Sequence, residues 1–198
     1  MATGLLLAVQ GSGAVPPPLP QTRADCERPT YASDRLVCGD AALLALDRQV
    51  GEAWRAIAAT SPDSGTAADL PPLLEAQEAW FGRRSRCAFV EAQAACLEAA
   101  YRDRSRVLDA WQRAASGAIA GPGTRMRCTG APWGEATVTV HHPTADTLVL
   151  SSLDGRLLAV ATPGGDQDGW RPFVQFEGAA APIQLRPMSA AAIICSPG

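Results

Sequence analysis

Apolar positions in the first half of the chain recur with a helical period. Leu43, Leu46, Val50 and Ile57 fall at spacings of three, four and seven, with Trp54 beside the stripe, which predicts a helix over Ser33 to Thr60. Ser33 is placed as its N-cap and Asp34 in its first turn. The run Ser61-Pro62-Asp63-Ser64-Gly65 stops it. A second helix is expected to begin near Pro71-Pro72, since proline is tolerated in a first turn. It carries Leu74, Gln77, Trp80, Phe81 and Arg84 on one broad face. A third is predicted over Ala92 to Ala115, with Leu97, Tyr101, Val107, Leu108 and Trp111. Three amphipathic helices with short connections predict an antiparallel bundle.

The period changes from 3.6 to 2 after a Gly/Ala/Pro-rich linker over 115–124. Strands are predicted at Ala136–His141, Thr147–Leu153, Arg156–Ala161, Phe173–Phe176, Ile183–Arg186 and Ala191–Cys195. Asp154-Gly155 marks a hairpin. The fold class expected is therefore α+β in two modules: a helical bundle over 25–114, then a small antiparallel β-barrel over 125–198.

Six cysteines follow the same division. Cys26, Cys38, Cys87 and Cys96 lie in the helical half, while Cys128 and Cys195 bracket the strand half. No C-x-x-C spacing suggests a zinc or thioredoxin-like site. Two even groups read as disulfide staples in modules too small for a generous core, made for an oxidising compartment. Four cysteines allow three connectivities, among which sequence does not decide. The pairing expected is Cys26–Cys87 with Cys38–Cys96, because bonds between distant segments restrict the unfolded chain most. Residues 1–24, with the short apolar run Leu5 to Val9, read as a leader or truncated signal segment. No run is long enough to span a membrane. A periplasmic or secreted protein is the expectation.

Net charge is −3 and every basic residue other than histidine is arginine. No basic footprint points to nucleic acid, and lysine Schiff-base chemistry is excluded. The two histidines, His141 and His142, are neighbours on a predicted strand and so face opposite ways. No phosphate loop, nucleophile elbow or metal-ligand spacing appears. Neither an enzyme nor a cofactor or metal site is expected.

The run Cys26, Cys38, Leu43-x-x-Leu46-Asp47, Gln77-x-x-Trp80-x-x-x-Arg84-x-x-Cys87, Cys96 to Tyr101 and Arg104 resembles the N-terminal domain of the LprI-type lysozyme inhibitor family. It departs at Ser85, where that family usually has an acidic residue, and at Trp54, where it usually has tyrosine. The framing residues Asp47, Gln77, Trp80, Arg84 and Arg104 have a structural reading as well: Gln77 and Arg84 share a helix face and could satisfy buried carbonyls or pair with Asp47. The second half more weakly resembles the MliC-type inhibitors of c-type lysozyme, small β-barrels with a cysteine near each end, through Met126-Arg127-Cys128, the Leu153-Asp154-Gly155 hairpin and Cys195.

The second resemblance implies that loops enter a lysozyme cleft. The corresponding residues here are Asp168-Gly169, where the family has Ser-Gly, and Glu177-Gly178, where it has Lys-Gly. A carboxylate is repelled by the cleft's own carboxyl groups, whereas lysine is attracted. Trp170 and Arg171 are alternative tip residues, with the composition of a binding hot spot; the competing reading has Trp170 covering one end of the barrel. The implied partner is a lysozyme or related muramidase. The alternative is a non-inhibitory envelope protein associated with peptidoglycan.

Overall fold

The computed structural model describes residues 21–60, 73–118, 123–134, 136–164, 169–178, 181–188 and 190–198. Among these residues four α-helices come first: α1 (Asp34–Gly39), α2 (Ala41–Thr60), α3 (Gln77–Arg84) and α4 (Gln93–Ala115). A 3₁₀ turn, Ser85–Phe89, lies between α3 and α4.

The single helix expected over 33–60 is two. Asp40 breaks it: its Oδ1 accepts the backbone N–H of Ala42 at 2.8 Å and of Leu43 at 3.1 Å, capping α2. Ser33 makes no side-chain cap at α1. Asp34 turns back instead, accepting the N–H groups of Thr30 and Tyr31 at 3.2 and 3.1 Å. The predicted start of the second helix at Pro71-Pro72 and the stop at Ser61 to Gly65 lie outside the described residues; α3 begins at Gln77. α2 and α4 pack together through Leu43, Val50, Ile57, Leu97, Leu108 and Trp111, all buried. No helix among the described residues is long and apolar enough to cross a membrane.

Seven strands follow among the described residues: β1 (Thr124–Thr129), β2 (Ala136–Thr144), β3 (Thr147–Ser151), β4 (Leu157–Pro163), β5 (Val174–Glu177), β6 (Ile183–Pro187) and β7 (Ile193–Pro197). They close into a barrel in sequence order, with β1 beside β7. Closure removes the sheet edges. Met126, Cys128, Val138, Val140, Leu148, Leu150, Leu185 and Ile193 alternate inward to fill it.

Every neighbouring pair is antiparallel except β4 and β5, which run parallel. This corrects the all-antiparallel expectation. Parallel neighbours cannot be joined by a hairpin, and the described end of this connection, residues 169–173, leaves the barrel through Trp170 to meet the helices on its outside.

That outside is where the helices lie. α4 packs on β3 and β4, and Val149, Leu157, Val160 and Trp170 belong to the helical core cluster. The exchange is reciprocal. Leu73, just before α3, is buried in the barrel's core cluster, and its N–H donates to the Leu158 carbonyl at 3.2 Å. The two parts are locked by one shared seam.

All six cysteines are paired, but in the helical part not as expected. The bridges are Cys26–Cys38, Cys87–Cys96 and Cys128–Cys195. The first two close local turns, 12 and 9 residues apart. The segment before α1 folds back on that helix, and the 3₁₀ turn delivers Cys87 to the first turn of α4, so local geometry overrides the long-loop argument. Cys128 and Cys195 sit directly opposite each other on β1 and β7, 67 residues apart. Loop-closure entropy predicts that removing this bridge as a Cys→Ala pair costs about 4 kcal/mol, against about 3 kcal/mol for either local bridge. Urea titration of the three double variants measures the order.

Candidate functional site

The residues behind the first resemblance come together in the helical core. Trp80 is buried at the centre, with the Arg84 guanidinium carbon 5.5 Å from its ring centroid and that of Arg104 at 5.7 Å. Arg84 is fully buried. It donates to Asp34 Oδ1 at 2.5 Å, to Asp47 Oδ1 at 3.4 Å and to the Tyr101 hydroxyl. Tyr101 in turn donates to Asp47 Oδ1 at 2.8 Å.

The N-terminal segment completes this network. Ala24 N–H donates to both Asp47 oxygens, at 3.1 and 3.0 Å. It comes so close only because α2 has Gly51 at the crossing; a Cβ there would lie 2.4 Å from Arg23 Cγ. Burial raises the Asp47 carboxyl above its ordinary range, opposed by the Tyr101 hydroxyl, the Ala24 amide and Arg84. Burial also raises the Tyr101 phenol.

A second network surrounds Arg104. Its Nε and Nη2 donate to Gln77 Oε1 at 3.1 and 2.9 Å, and Nη2 also reaches the Glu75 carbonyl at 3.1 Å. Complete burial lowers its pKa to about 10, opposed by Glu75. The group therefore keeps its charge at neutral pH. Asp47, Gln77, Trp80, Arg84 and Arg104 are thus brought together but hidden, all at most 3% exposed. The pairing of Arg84 with Asp47 and the engagement of Gln77 make a framework that positions the helices.

The residues proposed for the cleft-entering loops divide. Asp168 lies outside the described residues. Gly169 has φ +77°, and a Cβ there would lie 2.4 Å from Val90 Cγ1. Trp170, considered as an exposed tip, is 2% exposed. Its Nε1 donates to Asp103 Oδ2 at 2.8 Å, the Arg83 guanidinium carbon sits 4.1 Å from its ring centroid, and Trp80 meets it edge-on at 6.4 Å. It therefore covers the helices from outside the barrel, instead of projecting to solvent or closing a barrel end. The reason is the crossing connection, which carries it over α3 and α4. Arg171 keeps an exposed side chain, while its carbonyl accepts from Arg83 Nη1. Glu177 and Gly178 stand exposed at the end of β5, with Glu177 paired to Arg186 at 3.0 Å and Gly178 at φ +80°.

Sequence reasoning missed Leu73, Glu75, Arg83 and Asp103, which build the seam. Arg83 pairs with Glu75, both nearly buried. The cavity under Trp170, bounded by Leu73, Arg83, Asp103, Arg104 and Val160, holds about 20 Å³, room for one water molecule and no ligand. One signal was available. β3 and β4 read Thr-Leu-Val-Leu-Ser and Leu-Leu-Ala-Val-Ala without alternation, the pattern of strands covered on both faces.

Arg84→Leu leaves Asp34 and Asp47 without their shared cation and is expected to cost about 3–5 kcal/mol, read by urea denaturation. The seam carries a pH signature. Burial raises the Asp103 carboxyl, against the lowering effects of the Trp170 indole, Arg106 and Arg83. A raised folded-state pKa means that folding takes up a proton. The contribution of Asp103 is fully present below its unfolded pKa and is lost as pH rises through the folded one. Wild type is therefore expected to gain stability relative to Asp103→Asn as pH falls from about 7 toward about 4. Paired urea titrations across that range check the sign. Set against known proteins, the chain matches no family model, no curated protein and no solved structure.

Proposed function

We propose that this is a periplasmic or secreted binding protein that inhibits a lysozyme or related muramidase stoichiometrically, with an LprI-like helical bundle joined to an MliC-like barrel. The observation that carries the reading is the use made of the resembling residues. Asp47, Gln77, Trp80, Arg84 and Arg104 form the frame of the helical part, and the cysteine near each end of the barrel joins its first and last strands. Three disulfides suit an oxidising compartment. A seam that locks both parts gives a surface needing little ordering when it binds, which lowers the cost of association.

A second reading, a non-inhibitory protein of the cell envelope associated with peptidoglycan, is favoured by Glu177. It stands where the inhibitor family has lysine and is matched by Arg186, so it offers no cation to a carboxylate-bearing cleft.

Oxidised protein titrated into c-type, g-type and i-type lysozymes on a cell-wall suspension separates the two. The inhibitor reading expects saturation near one-to-one with one class and no sedimentation with purified cell wall. Co-sedimentation with the wall and no inhibition of any class would establish the second reading.

A further inference from the structure

The most exposed large apolar side chain described is Phe89, at 79%. Single exposed apolar residues are ordinary on protein surfaces; what distinguishes Phe89 is how firmly its backbone is held. It ends the 3₁₀ turn inside the loop closed by Cys87–Cys96. Within that loop Gln93 Nε2 donates to the Ala88 carbonyl at 2.7 Å. The next residue, Val90, lies against Gly169 of the crossing connection, which tolerates no Cβ at that contact. The backbone that presents Phe89 is therefore pinned on both sides.

Its electrostatic setting is as specific. Arg86 precedes it in the same turn, and Arg171 follows Gly169 by two residues; both side chains are exposed. On α4, Arg102, Arg106 and Arg113 are each matched by a carboxylate of the same helix. Neither Arg86 nor Arg171 has an ion-pair partner among the described residues. The loop's one carboxylate is Glu91. An exposed aromatic side chain on a pinned turn, beside two guanidinium groups with no ion-pair partner among the described residues, is the composition of an interface anchor, and it complements a cleft bearing carboxylates.

We propose that the Cys87–Cys96 loop, with Phe89 as its anchor and Arg86 and Arg171 as flanking cations, is the surface that enters the acidic cleft of the inhibited muramidase. This rests on the inhibitor reading above and relocates the contact from the barrel's turns to the seam between helices and barrel. It supplies the positive charge that Glu177 lacks.

The experiment uses the full oxidised chain against whichever of the c-, g- and i-type lysozymes it inhibits. Phe89→Ala removes an exposed side chain and leaves the bridge and Val90 in place, so folding is retained; near-ultraviolet circular dichroism confirms this. Its inhibition constant is expected to rise about 30-fold, the effect of losing a hot-spot anchor. Arg86→Glu with Arg171→Glu is expected to slow association, most at low salt. Leu153→Ser, removing a 60% exposed apolar residue on the β3–β4 hairpin, is expected to leave inhibition unchanged. Inhibition by wild type that Phe89→Ala does not weaken would overturn the proposal and leave the inhibitor reading standing. Absence of inhibition by wild type against all three classes would overturn both.

Discussion

Parallel pairing of two strands adjacent in sequence imposes a constraint from which most of this architecture follows. β4 and β5 run the same way, so no hairpin can join them and a longer crossing connection is required before β5 can start. A connection crossing a sheet face must be covered or remain exposed along with the apolar side chains beneath it. Here the helices cover its described end at Trp170. Val149 and Val160 point outward from the barrel into the helical core, and the connection contributes Trp170 to the same core. Leu73 is the return gift, a residue from the helical side inside the barrel's cluster. Neither part has a complete core without the other, as expected when each is too small to bury a sufficient one alone.

The buried charges explain how a small helical part tolerates so much polarity. Arg83, Arg84 and Arg104 are nearly or fully removed from water, a heavy desolvation cost unless each guanidinium is paired and hydrogen-bonded. Arg84 has two carboxylates and a phenol, Arg104 an amide oxygen and a carbonyl, and Arg83 a carboxylate. Tryptophan faces supply further cation–π contact. These geometries demand that α2, α3, α4 and the N-terminal segment hold one arrangement. The local disulfides reinforce it by pinning the segment before α1 and the turn before α4. Such a framework needs little further ordering, which is what the proposed binding role asks of the surface it presents.

Fold class, the order of modules and the cysteine groups were legible in the sequence, because each is written in local periodicity and composition. The stripe Leu43, Val50, Ile57 specified α2; alternation and Asp154-Gly155 specified strands and a hairpin. The break at Asp40 was legible in principle, since aspartate after Gly39 is a cap signal. Asp47, Gln77, Trp80, Arg84 and Arg104, singled out as a group in the sequence, all lie buried in the frame, while Leu73, Glu75, Arg83 and Asp103 were not singled out. Their roles depend on neighbours 8 to 88 residues away, as in the Arg83–Glu75 and Arg83–Arg171 contacts, and nothing in their own spacing announces it.

What the sequence determined by itself was therefore everything carried by neighbours within a helix turn or a strand pair. Tertiary structure alone decided the rest: which cysteines pair, the parallel β4–β5 junction, and whether Trp170 faces solvent or a core. An exposed and a buried tryptophan have the same local sequence signal; the difference is set by the apolar face it meets, and that face belongs to helices about 70 residues earlier in the chain.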